Sequence, residues 1–137
     1  MKKVLFACVH NAGRSQMAAA WFNELADRSK ATGISAGTVP GERVHPEVVA
    51  VMQEAGIDLS REKPKLLSDD LASSAALLIT MGCGEACPFV PGLRREDWPL
   101  QDPKGQPLTE VRRIRDIIRA QVHELLAREG WAQGASV

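Results

Sequence analysis

A chain of 137 residues with 45% hydrophobic content is long enough for one packed domain and too short for two of ordinary size. Its 17 basic and 17 acidic residues cancel, so charge makes no case for a nucleic acid or a membrane surface as partner. No stretch approaches the ~18 apolar residues of a membrane span, and the run after Lys2 and Lys3 is too short for a signal-peptide core, so a soluble, cytoplasmic monomer is expected.

Residues 2–7 predict a first strand, apolar nearly throughout as in a central parallel strand covered on both faces. It runs into Cys8-Val9-His10-Asn11-Ala12-Gly13-Arg14-Ser15, a loop with a cysteine at its start and a helix opening at its end. A chain passing from strand end to helix start leaves backbone N–H groups of residues 9–15 unpaired, and such a concave set of donors binds a tetrahedral anion. Five residues between Cys8 and Arg14 suffice to wrap one phosphate-sized group, over which the Arg14 guanidinium can close as a fork. The same donors favour a thiolate at Cys8, the form of sulfur that attacks. Asn11 and Gly13 suit a loop that turns its amides one way, since Gly takes positive φ freely and Asn tolerates it.

From Ser15 to Arg28 the apolar positions Met17, Trp21, Phe22 and Leu25 fall near helical spacing. A second strand is expected at 32–37, then a turn at 39–42 and a helix that starts at Pro46 and stops at Gly56. An extended piece near 65–67 leads to a short helix capped by Ser68. Ala75 to Met81 predicts the strongest later strand, ending in Gly82-Cys83-Gly84-Glu85-Ala86-Cys87-Pro88. Another short strand is possible at 96–99. Val111, Ile114, Ile117, Ile118, Val122, Leu125 and Leu126 then repeat at three and four along a final helix, whose arginine-rich face reads as solvated. The domain is expected over residues 1–130, with 131–137 a frayed tail.

Strands alternating with helices predict a single α/β domain built on a four-stranded parallel sheet flanked by helices on both faces. Ligands in such sheets bind at the carboxyl ends of the strands, so Cys8 and Cys83 can share one rim. Three cysteines argue against a structural disulfide framework. Cys8, Cys83 and Cys87 form no paired Cys-x-x-Cys knuckle, so no metal is expected. As one helical turn, residues 83–87 would set two Cα atoms roughly 6 Å apart, within disulfide range. Gly82, Gly84 and Pro88 predict a segment able to rearrange.

Residues 8–17 (Cys-Val-His-Asn-Ala-Gly-Arg-Ser-Gln-Met) resemble the signature of the low-molecular-weight protein tyrosine phosphatase fold, in its thioredoxin-coupled arsenate reductase branch. The likeness extends to Ser-Ala-Gly-Thr at 35–38, His-Pro at 45–46, Gly-Ile-Asp-Leu-Ser at 56–60, Thr-Met-Gly-Cys-Gly-Glu-Ala-Cys-Pro at 80–88 and Glu-Asp-Trp-Pro-Leu-Gln-Asp-Pro at 96–103. The resemblance implies Cys8 as nucleophile, loop amides and Arg14 as oxyanion holders, and Ser15 hydrogen-bonded to the thiolate. It further implies that Asn11 and Ser35 brace the loop and that Asp102 protonates the leaving oxygen. Cys8 then attacks arsenate, Cys83 attacks the Cys8 sulfur with release of arsenite, and Cys87 takes over the disulfide for thioredoxin, with no bound cofactor.

The chain departs from the family in places. Better-known members space the second and third cysteines more widely, and Ala19 stands where potassium-binding relatives carry Glu. Lys104 follows Asp102-Pro103 where tyrosine phosphatases place an aromatic ring, which counts against a phosphotyrosine pocket. Two other readings stay open at this point: hydrolysis of a phosphate monoester, which needs Cys8 and Asp102 but not Cys83, and a thiol-based arsenite sensor, which needs the three sulfurs but not Arg14.

Overall fold

The computed structural model describes residues 1–82 and 91–133. The first strand, β1 (Lys2–Cys8), is flanked by β2 (Ala31–Gly37) on one side and β3 (Leu77–Thr80) on the other, with β4 (Arg94–Asp97) beyond, in the order β2-β1-β3-β4. Every pairing is parallel. The central place of β1 explains its unbroken apolar run. Val4, Phe6 and Cys8 face one side of the sheet and Leu5 and Ala7 the other, and all five are buried.

The two faces are covered unequally. On the Phe6 side lie α1 (Arg14–Leu25), α2 (Pro46–Glu54) and α4 (Leu108–Glu129), which bring Met17, Phe22, Val48, Met52, Ile114 and Ile118 into one large core. Phe6 sits 5.8 Å from the ring of Phe22 and 5.8 Å from that of Trp98, so Trp98 is part of this core. Burying a ring of that size stabilises by about 1.5–3 kcal/mol. The opposite face carries the five-residue α3 (Asp69–Ser73), which packs Ala72 and Leu71 against Leu5 and Leu78. Ser68 caps it by accepting from the Leu71 N–H at 3.1 Å, as expected for a serine before an acidic first turn.

Several boundaries differ from those expected. α1 stops at Leu25 and not at Arg28, because Ala26 turns extended to bridge Ala132 and Asp27 folds the next residues by accepting from Ser29. The fourth strand lies at 94–97, two residues earlier than expected, in register with Leu77–Thr80. Residues 65–67 form only a single parallel bridge, Leu66 to Gly37. The arginine face of α4 is not simply solvated: Arg112 and Arg115 reach Glu54 of α2 at 2.8 and 3.1 Å, and Arg119 lies over the Trp21 ring.

The expected frayed tail also needs correcting at its start. Trp131 stacks edge-on against Phe22 at 6.2 Å, and Gln133 donates to the carbonyls of Glu24 and Ala26 at 3.0 and 3.2 Å. The apolar and amide side chains after Gly130 thus close the lower end of α1. No helix among the described residues is long and apolar enough to cross a membrane.

Candidate active site

The carboxyl ends of β1 and β3 meet at one rim, and the loop from Cys8 to Gly13 lies across it before α1 begins. Cys8 is 2% exposed, at the carboxyl end of the central strand β1. Asn11 holds φ +51, the left-handed conformation foreseen for it. The turn needs glycine at Gly37 on the neighbouring strand, where a Cβ would meet the Val9 carbonyl at 2.6 Å and the Asn11 nitrogen at 2.9 Å. The loop's own carbonyls are tied outward: Val9, His10 and Ala12 accept from the N–H groups of Val39, Gly41 and His45 at 2.8, 2.9 and 2.9 Å.

No described group accepts from the backbone N–H groups of residues 10–15. Gly13, at the N-cap of α1, offers no side chain to cover the first turn. A run of unpaired amides at a helix N-terminus, beside a buried sulfur, is a cradle for an oxyanion. Val9, His10, Asn11, Ala12, Gly13, Arg14 and Ser15, the residues expected to bind an oxyanion, make up this loop and the first two positions of α1. His10 itself is exposed, with Nδ1 2.9 Å from the Val39 carbonyl oxygen, and no described hydrogen bond joins it to Cys8.

Behind the sulfur runs a buried polar chain. Cys8 Sγ lies 2.9 Å from Ser15 Oγ, and Asn11 Nδ2 donates to the same oxygen at 2.7 Å. Asn11 Oδ1 accepts from the backbone N–H of Lys65 at 2.9 Å, and since a backbone N–H can only donate, Nδ2 must be the end that faces Ser15. Ser15 Oγ accepts from Asn11 through one lone pair and keeps its own hydrogen, which can point only toward the sulfur when Cys8 is a thiolate, a form that accepts and cannot donate.

Arg14 stands at the rim with its side chain 11% exposed. Nη1 donates to the Leu100 carbonyl at 2.9 Å, and Nη2 lies 3.8 Å from Asp102 Oδ2. Gly82, with φ +97, passes so close that a Cβ there would overlap Nη1. Asp102 is 45% exposed; its other oxygen accepts from the Lys104 N–H at 3.0 Å, and Pro103 packs on Gly13. An ion pair this long and open contributes roughly 0–1 kcal/mol, so it places Asp102 more than it stabilises the fold.

Ser35 does not act as expected. It is buried in β2, but no described group hydrogen-bonds its hydroxyl, which faces a cavity of about 110 Å³ shared with Gln16, Ala19, Asn23 and Leu59. Its register partner is Phe6, which puts it on the face of the sheet that carries Cys8 and α1. The loop is braced instead by Lys65 and by Gln16, which sequence reasoning missed although Gln16 stands inside the signature; the mark was a buried amide following Ser15. Cys83 and Cys87 lie outside the described residues, as does most of the segment expected to rearrange. No group of three or more potential metal ligands occurs among the described residues.

Comparison with known proteins agrees with this geometry. The glutaredoxin arsenate reductase of Synechocystis sp. is 37% identical over 131 residues, which cover 93% of this chain and 98% of that one. Among solved structures, the thioredoxin-dependent arsenate reductase of Corynebacterium glutamicum is 39% identical with a TM-score of 0.79; the match covers 91% of this chain, which spans 60% of that protein's length. A structure described as an arsenate reductase in an oxidized state is 35% identical with a TM-score of 0.83, over 93% of this chain and 98% of its own. The family of low molecular weight phosphotyrosine protein phosphatases matches residues 3–132, and this chain belongs to it.

Proposed function

We propose that this protein reduces arsenate to arsenite through Cys8, with a thioredoxin- or glutaredoxin-type protein as the final electron donor. The observation that carries this reading is the Cys8–Ser15 contact of 2.9 Å beneath the unpaired amides of residues 10–15, with Arg14 at the rim. A tetrahedral oxyanion seated there has its central atom next to the sulfur. Relatives more than 30% identical over nearly their whole length carry the name arsenate reductase, which favours reduction over ester hydrolysis.

The chemistry proceeds in balanced steps. The Cys8 thiolate attacks arsenic(V), an S–As bond forms, and one oxygen leaves as water after taking a proton from Asp102. The Cys83 thiolate then attacks the Cys8 sulfur. The S–S bond forms as the S–As bond breaks, its electron pair stays on arsenic, and arsenic(III) departs as arsenite. Cys87 attacks Cys83, which returns Cys8 to thiolate and leaves a Cys83–Cys87 disulfide for the external dithiol to reduce by two electrons. Thioredoxin is the proposed reductant, because two accessory cysteines in the same chain suit a dithiol partner better than a small monothiol. The reading includes a cytoplasmic monomer, where such a reductant is available.

Counting thiols on the fully reduced protein before and after one equivalent of arsenate, with arsenite assayed in the same tube, tests this. The expected result is two thiols lost for each arsenite formed, abolished by Cys83→Ser. An unchanged thiol count, with turnover of an aryl phosphate, would assign the site to hydrolysis.

A further inference from the structure

Gln16 is the third residue of α1, where Glu or Gln ordinarily turns back to accept from the N-cap amide. Here it does the opposite. Its Nε2 lies 3.1 Å from the Asn11 carbonyl, 3.1 Å from Asn11 Oδ1 and 3.3 Å from the Lys63 carbonyl. Backbone carbonyls only accept, so the group facing these three oxygens is the NH₂ end of the amide. The side chain is 3% exposed, and the cavity of about 110 Å³ opens on its flank.

This placement has two consequences. A capping side chain of the usual sense would consume an N–H group at the helix start; Gln16 consumes none, and the amides of residues 10–15 stay open for an anion. At the same time it gathers three oxygens that would otherwise crowd one another beside a residue at positive φ. Two of the three belong to Asn11, whose other end donates to Ser15 Oγ and so sets which way the Ser15 hydrogen points.

We propose that Gln16 is a positioning residue for the Cys8 nucleophile: it locks Asn11 in the left-handed conformation and in the amide orientation that make Ser15 a donor to the Cys8 sulfur. Lys63 and Lys65 take part through their backbones alone, joining the segment before α3 to the loop. The inference rests on Cys8 being the attacking sulfur, whichever substrate it attacks.

The test uses Gln16→Met, close in volume and without donors, in a Cys83→Ser/Cys87→Ser background where iodoacetamide reports on Cys8 alone. Losing the Gln16 donors releases Asn11 and with it the Ser15 hydrogen bond to the charged sulfur, and this is expected to slow alkylation at pH 7 about five- to tenfold and to move its pH profile to the alkaline side. In the three-cysteine protein kcat for arsenate falls by a similar factor while KM changes less than twofold. Gln16→Glu, with oxygen in place of the donor, is slower still. Unchanged alkylation and unchanged kcat in a folded Gln16→Met protein would overturn the proposal. A measurement on the wild type covers the case in which the variants fail to fold. In ¹⁵N-labelled protein the Gln16 side-chain NH₂ resonances are expected to follow the titration of Cys8, and resonances that stay fixed while Cys8 titrates overturn it equally. Alkylation needs no arsenate, so this outcome is separate from whether the protein is a reductase.

Discussion

Gly82 is a sharp test of the site, because a single methyl group there meets the rim arginine and nothing catalytic is removed. A Cβ built on Gly82 overlaps Arg14 Nη1 and comes within 3.1 Å of Cζ, and the backbone is at φ +97. Gly82→Ala therefore has two separable effects. Holding a non-glycine residue at positive φ costs about 1–2 kcal/mol of stability. The guanidinium must also retreat by on the order of 1 Å to regain an ordinary contact distance. It cannot do so while keeping its 2.9 Å bond to the Leu100 carbonyl and its place beside Asp102.

A misplacement of about 1 Å in a group that positions substrate lowers kcat/KM on the order of 10²-fold. The assay is arsenite formation across arsenate concentrations, with Tm measured on the same samples. Gly130→Ala is the control. That residue is at φ +75 beyond the last helix with nothing within 4 Å of a Cβ, so it carries the strain without touching Arg14. The expected result is a similar fall in Tm for both variants and a loss of arsenate turnover in Gly82→Ala alone. Equal kcat/KM in the two would refute the argument that Arg14 is held by the bare backbone of Gly82.

Two further outcomes follow from contacts around this site and its supporting helices. Gly13→Ala places a Cβ 2.8 Å from Pro103 Cγ and 3.4 Å from His45, so the turn carrying Asp102 is pushed off the loop; arsenate turnover is expected to fall about tenfold while iodoacetamide still alkylates Cys8 at the wild-type rate. A parallel fall in alkylation would mean that the cradle itself had been distorted. Hydrogen bonds from Arg112 and then Arg115 hold the Glu54 carboxyl below its usual 4.5, so its contribution is complete above that pH and disappears as pH falls through the lower folded value. Glu54→Gln should therefore melt below the wild type at pH 7, with the gap closing as pH falls below 4.5; a gap that stays constant into acid would show that packing, not charge, joins α2 to α4.

Which parts of the molecule the sequence made legible follows from how far apart the interacting residues are. β1 and the anion loop are contiguous, and their signals are local: an apolar run, a cysteine, an Asn and a Gly that tolerate unusual φ, and a helix start. The parallel sheet followed from alternation, since strands joined through helices have few other ways to pair. Position 35 shows the limit. The family likeness put Ser35 behind the loop, and registry with Phe6 does place it on the face that carries Cys8, but no described group hydrogen-bonds its hydroxyl, which depends on side chains brought in by other segments.

The bracing that does occur was illegible for a different reason. Lys63 and Lys65 act through main-chain atoms, and a backbone N–H or carbonyl has no residue type to betray it; any residue but proline at 65 could have offered the same donor to Asn11. Gln16 was visible but ambiguous, since an amide after a helix N-cap ordinarily reads as a cap. Only the three oxygens around it, two of Asn11 and one from Lys63 nearly fifty residues away, reveal that it faces the loop. The same reasoning applies to Arg14, whose partner is the carbonyl of Leu100 and whose close neighbour is a glycine without a side chain. In this site the sequence motif supplies the groups that line the anion cradle, and backbone atoms from distant loops decide where those groups stand. Signature residues alone will therefore underdetermine reactivity in such loops. The test is whether Gln16→Met and Gly82→Ala, neither of which alters the cysteine, the arginine or the serine, change it as predicted.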